Sequence, residues 1–178
     1  MRTLLSGKRI AILVEDDFHD PDVIVAMRRL RAAGASVTVV GNGTRHAYRG
    51  ERGTTVVADC SVVGARPEDV DAVLIPGGQA PKRLCECPEV ISLLRAAHAA
   101  GKVVAAFSQA AHLLLGGNML TGRAATLDTG FLTANLDRLA LVADGNVIAA
   151  ADASSPEFYA TLRRKLEQTG NSQPVGES

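Results

Sequence analysis

Ser108 stands where an apolar run, Val103-Val104-Ala105-Ala106-Phe107, passes into Gln109-Ala110-Ala111-His112-Leu113-Leu114-Leu115. A side chain at such a strand-to-helix corner is thrust outward and can serve as a nucleophile. A thiol, with a pKa of about 8.5, can be tuned to a thiolate by a helix N-terminus and a neighbouring group. An alcohol ionises many units higher and needs a general base to take its proton in the transition state. Gln109 cannot accept a proton at neutral pH. His19 can, if its loop reaches the same sheet edge, with Asp16, Asp17 or Asp20 to orient the ring. Ser108 and His19 are therefore the candidate catalytic pair. The competing reading makes His19 a solvated loop residue and Ser108 a small polar residue in a tight turn. His112 lies four residues after Ser108. An elbow side chain projects before helical geometry is established, however, and a histidine ahead of three leucines reads as partly buried and hydrogen-bonded.

Other groups carry weaker signals. Gly77-Gly78 follows the apolar run 72–75, and its amides can approach a ligand without Cβ obstruction and donate to an oxyanion or carboxylate. A plain turn explains the pair equally well. Glu15 to Asp22 contains five carboxylates and one imidazole, enough ligand types for a divalent cation, but it lacks the ordered glycine and spacing of a calcium loop. The simpler reading is an acidic helix N-terminus, with Asp20 and Asp22 complementing the dipole. No metal site is expected, and no motif implies a cofactor. Cys85-Glu86-Cys87 lacks the two-residue spacer of zinc and thioredoxin motifs and no second pair follows, so both read as surface or packing residues. Cys60, ending a β-like run, reads as core.

The elements that must position these groups alternate. Strand-like runs at 9–14, 36–40, 72–75 and 103–107 are separated by helical stretches at 23–33, 90–100 and 109–115. That order folds as a mostly parallel sheet with helices on both faces. Pro21 suits a first helical turn and Gly34 a helix end. Residues 54–60 read as a strand or hairpin arm after the turn 49–53. Residues 139–142 and 147–150 read as an antiparallel pair across Asp144-Gly145-Asn146. Pro156 opens a last helix to about Gln168. In such a sheet ligands bind beyond the carboxyl ends of the strands, so the loops holding His19, Gly77-Gly78 and Ser108 matter most.

The chain has 178 residues, enough for one well-buried domain, expected over 1–168, with 169–178 too polar to pack and read as a flexible tail. Nineteen basic residues balance nineteen acidic ones, so no long-range field draws the protein to nucleic acid or to an anionic membrane. No apolar run approaches the roughly 20 residues that span a bilayer, and a cytoplasmic location is expected. Three cysteines leave one unpaired in any disulfide scheme, which favours reduced thiols.

Read in order, several segments resemble the DJ-1/PfpI family: the first strand, the acidic loop with Phe18, Val73-Leu74-Ile75-Pro76-Gly77-Gly78-Gln79-Ala80-Pro81, the run 101–108, and the closing stretch 144–167. The likeness runs from about Lys8 to Gln168 and looks most like the PfpI branch. It implies a flavodoxin-like three-layer α/β sandwich that forms a homodimer or higher homo-oligomer, with the site at a subunit interface. Relatives have been described as cysteine peptidases, glyoxalase or deglycase-type enzymes and stress-response proteins. The family places a reactive cysteine at the elbow, followed by histidine and glycine; here these positions are Ser108, Gln109 and Ala110. The loop glutamate is replaced by His19, and the acidic residue reaching across the interface by Lys82.

Three readings follow. The first is a protein that has lost the cysteine chemistry and binds a small ligand or partner, its pocket lined by Gly77, Gly78, Ser108, Gln109, His19 and Lys82. The second is a serine-variant hydrolase or amidase using Ser108 and His19. The third is a structural oligomerisation module.

Overall fold

The computed structural model describes residues 4–116 and 141–170. The exposed Arg9 and five buried apolar residues form β1 (Arg9–Val14), an interior strand beside the central one of a seven-stranded sheet. The chain then runs through α1 (Asp20–Ala32), β2 (Ser36–Gly41), β3 (Ala47–Arg49), β4 (Thr55–Val57), β5 (Cys60–Ser61) and β6 (Ala72–Ile75). It continues through α2 (Ala80–Cys85), α3 (Pro88–Ala99), β7 (Val103–Phe107), α4 (Gln109–Gly116), β8 (Leu141–Asp144), β9 (Val147–Ala150) and α5 (Pro156–Gly170). The sheet order is β5-β2-β1-β6-β7-β9-β8, parallel except for β8, while β3 and β4 form a separate antiparallel hairpin.

Side-chain alternation along each strand divides the core in two. Ile10, Ile12 and Val14 point to the layer containing Val23, Ala26 and Leu30 of α1 and Phe158, Leu162 and Leu166 of α5. Ala11 and Leu13 point to the layer containing Leu84 of α2, Val90, Leu93 and Leu94 of α3, and Ala110 and Leu114 of α4. The expected three-layer, flavodoxin-like α/β sandwich is thus the one observed. From β1 the chain winds outward to β2 and β5, then returns to β6 and winds the other way, so β1 and β6 form the topological switch point.

Several local expectations shift. α1 begins at Asp20 rather than 23, because Pro21 at its start needs no amide partner and the Asp22 amide donates to His19 O at 3.0 Å. The stretch 54–60 splits, residues 55–57 pairing with β3 and residues 60–61 joining the sheet edge beside β2. Cys60 is exposed there, not core, because it lies on a two-residue strand at the edge of the sheet. Of the strand expected over 139–142, residues 139–140 lie outside the described residues; the described part, Leu141–Asp144, pairs antiparallel with β9 across the Gly145-Asn146 turn. α5 continues to Gly170, two residues into the segment read as a tail, and residues 171–178 lie outside the described residues.

Candidate functional site

Four loops meet at the carboxyl edge of β1, β6, β7 and β9. Ser108, at the end of β7, has φ 48°, in the left-handed region that non-glycine residues occupy at a cost of about 1–3 kcal/mol. Its amide donates to Ala150 O at 2.9 Å, closing the sheet behind it, and Ala111 N donates to Ser108 O at 3.0 Å, opening α4. The corner is therefore a strained elbow with a partly exposed hydroxyl. The hydroxyl donates to Gln109 Oε1 at 3.3 Å, and no hydrogen bond links Ser108 to His19 among the described residues. The His112 side chain lies outside the described residues.

His19 enters through the loop after β1. Its amide donates to Gly77 O at 3.0 Å, and its Nδ1 lies 3.2 Å from Asp22 Oδ2. Asp22 is buried, with 1% of its surface exposed. Its Oδ2 also accepts the Gly77 amide at 2.9 Å, while Oδ1 accepts the Ala153 amide at 3.1 Å. One carboxylate thereby ties together the loops after β1, β6 and β9. Burial pushes the Asp22 carboxyl above its ordinary range, against the downward pull of the Gly77 amide, His19 and the Ala153 amide.

The ring is thus oriented by Asp22, not by Asp16, Asp17 or Asp20. Asp16 takes Arg45 Nη1 at 2.7 Å and the Arg49 amide at 2.9 Å. Asp17 pairs with Arg83 Nη2 at 2.8 Å. Asp20 accepts the amides of Arg52 and Thr54, and Glu15 accepts from the Asn42 amide group and the Asp16 amide. The five carboxylates fan out to different partners, and no cluster suited to a metal ion occurs among the described residues.

Close approach makes glycine a tight fit at Gly77 and a requirement at Gly78. A Cβ at Gly77 would sit 3.0 Å from Asp22 Oδ2 and 3.2 Å from Ser108 Cβ. Gly78 has φ +84°, and a Cβ there would meet Asp17 O at 2.5 Å and His19 N at 2.7 Å. The two amides differ in role. Gly77 N–H is turned inward to Asp22 and is not free for a ligand, whereas Gly78 N–H has no hydrogen-bond acceptor among the described residues. Gln109 and Lys82 are exposed, Lys82 on α2 beside the Gly-Gly loop.

Two further carboxylates come close to this edge. Glu51, at the tip of the β3–β4 hairpin, has Oε1 3.0 Å from the Cβ position of Gly78. Asp152, after β9, is held below the ordinary carboxylate range by the Ser154 hydroxyl and, against burial, by the Ser154 amide and nearby His19. The position of Asp152 just after β9 was a readable signal, as was the three-residue spacing of His19 and Asp22. Glu51 carried none, because a hairpin docking over the first loop is a long-range event.

A doubly wound α/β sandwich with a strained elbow beside its switch point defines a class of proteins whose sites lie at this edge. The DJ-1/PfpI family model matches residues 8–165, and the chain belongs to that family. A deglycase of Pyrococcus abyssi is 29% identical over 161 residues, covering 87% of this chain and 95% of that protein. A two-domain protein of Anabaena variabilis, with DJ-1/ThiJ/PfpI-like and ferritin-like domains, superposes with TM-score 0.73 at 31% identity, covering 96% of this chain. This chain spans about half of that protein's length, 52%. Toxoplasma gondii DJ-1 shares the fold, with TM-score 0.73 at 21% identity over 92% of this chain and 96% of that one.

Proposed function

We propose that the protein is a non-catalytic member of the DJ-1/PfpI family that binds a small polar ligand at the elbow. The Gly78 amide, Ser108, Gln109 and His19 face the ligand, with Lys82 at the margin and Gly77 as a close-packed wall. The observation that carries this reading is the direction of the Ser108 hydroxyl. It donates to an amide oxygen, Gln109 Oε1, which cannot remove its proton. Assembly into a homodimer or higher oligomer and a role in stress response are what kinship with the family suggests.

A second reading, a serine-variant hydrolase or amidase, is favoured by one specific contact. His19 Nδ1 faces the buried Asp22, the arrangement that leaves Nε2 directed outward as a base. A fluorophosphonate probe separates the two. Intact-mass measurement is expected to show no adduct on the wild-type protein. Stoichiometric labelling that disappears in Ser108→Ala would overturn the binding-protein reading in favour of the hydrolase.

A further inference from the structure

We propose that the groove between α1 and α5, on the face of the sheet served by those helices, is a second binding site that takes an amphipathic carboxylate: one carboxylate group on an apolar body. The groove encloses about 380 Å³, within the range of small-molecule sites. Its floor is aliphatic, made by Leu5, Leu30 and Ala33, and the Leu5 amide donates to Ala33 O at 2.8 Å, which fixes that floor to the end of α1. One wall is the ring of Tyr159, whose hydroxyl is already committed to Ala153 O at 2.7 Å, so it presents carbon to the groove.

Among the described residues, the polar character is confined to two guanidinium groups. Arg29 stands with Cζ 5.1 Å from the Tyr159 ring centroid and makes no ion pair among the described residues. Arg163, two turns apart from Pro156 on α5, has its Nε buried with no hydrogen-bond partner among the described residues, while 43% of the side chain is exposed. Its nearest acid, Glu167 Oε1, is 3.8 Å away, too far for a hydrogen bond. A buried donor without an acceptor is an unfavourable state that a bound anion relieves. The planar fork of an arginine matches a carboxylate in two parallel hydrogen bonds. Among the described residues no Ser, Thr, Asn, Gln or Lys lines the groove. The two arginine forks are therefore the polar contacts it offers a ligand, enough for the two oxygens of one carboxylate. Aliphatic floor, aromatic wall and two rim cations together specify an apolar body carrying a single carboxylate.

The groove is separate from the Ser108 edge and its occupancy does not depend on the function proposed there. The test is a titration of the full-length protein with octanoate, followed by ¹⁵N–¹H spectra and by sedimentation. Octanoate is expected to saturate, with shifts centred on 4–5, 29–33 and 156–163, and to bind at least tenfold more tightly than octanol or octylammonium. Arg163→Met and Arg29→Met, which retain the apolar stems, are each expected to weaken octanoate at least tenfold while leaving octanol unchanged. Arg29 is exposed, so its variant decides the matter if Arg163→Met does not fold. The proposal fails if octanol matches octanoate, if the folded variants bind octanoate as the wild type does, or if octanoate does not bind. Failure to bind combined with a dimer in sedimentation would assign the groove to a second copy of the chain.

Discussion

At Asp22 three donors converge on one buried carboxylate, and the balance between them sets how this residue responds to pH. Burial outweighs the hydrogen bonds, so the carboxyl has a higher pKa folded than unfolded. The folded state then holds the proton more tightly, and the contribution of Asp22 to stability falls as pH rises from the unfolded value of about 3.9 through the raised folded value. Replacing it with Asn leaves one of two backbone amides, Gly77 or Ala153, without its acceptor, at a cost of about 1–3 kcal/mol. We expect that cost to shrink between pH 4 and pH 7. Urea unfolding of His19→Gln and His19→Gln/Asp22→Asn proteins measures it without a titrating imidazole in contact. A cost that grows with pH would mean that the amides, not burial, govern Asp22. In the sequence, the acidic loop was legible as a helix N-terminus, and the three-residue spacing of His19 and Asp22 was there to be read, although Asp16, Asp17 and Asp20 were the expected partners. Helix geometry selects Asp22, and only the packing of β6 and β9 loops against it explains why it is buried.

Among the elements, the β3–β4 hairpin has the least local support. Its strands have three residues each, and an isolated short hairpin is marginal in water. Its tip is held from outside: Asp20 accepts Arg52 N at 2.9 Å and Thr54 N at 3.0 Å, and Glu51 N donates to Phe18 O at 2.9 Å. Burial pushes the Asp20 carboxyl up, but the Thr54 hydroxyl and the two amides together bring it below its ordinary value. Stability from Asp20 is therefore present above about pH 3.9 and lost as pH falls through the folded value, opposite in sign to Asp22. Asp20→Ala is expected to cost about 1–3 kcal/mol by leaving those amides unpaired. Hydrogen exchange should show protection lost over 47–57 with β1 and β6 retained. Uniform loss across the sheet would contradict this anchoring. The same dependence explains what was unreadable in the sequence. Strands β1, β6 and β7 announce themselves as buried apolar runs, whereas in residues 47–49 only Tyr48 is buried, between exposed Ala47 and Arg49, too short an alternation to mark a strand. α2, six residues long, is too short to display a helical period.

On the scale of the whole molecule, the alternation of apolar runs and helical stretches sufficed for the doubly wound sheet, because parallel strands buried on both faces leave few other ways to cover them. Composition says nothing of the ligand, since the elbow, the Gly-Gly approach and the Asp22 tie are made by residues far apart in the chain. Composition does bear on how copies meet. Nineteen positive and nineteen negative residues cancel at pH 7, and the isoelectric point is about 6.9. Near that pH no net repulsion separates molecules, and moving well to either side of the isoelectric point restores a net charge that does. Large apolar residues exposed among the described positions, Leu4, Val57 and Val63, are single and scattered along the sequence, so charge balance should dominate weak association. Static light scattering at low salt is expected to give its most attractive second virial coefficient between pH 6.5 and 7.5, with repulsion on both sides. A coefficient that changes in one direction from pH 5.5 to 8.5 would show that exposed apolar surface, not the cancellation of charge, controls how the molecules associate.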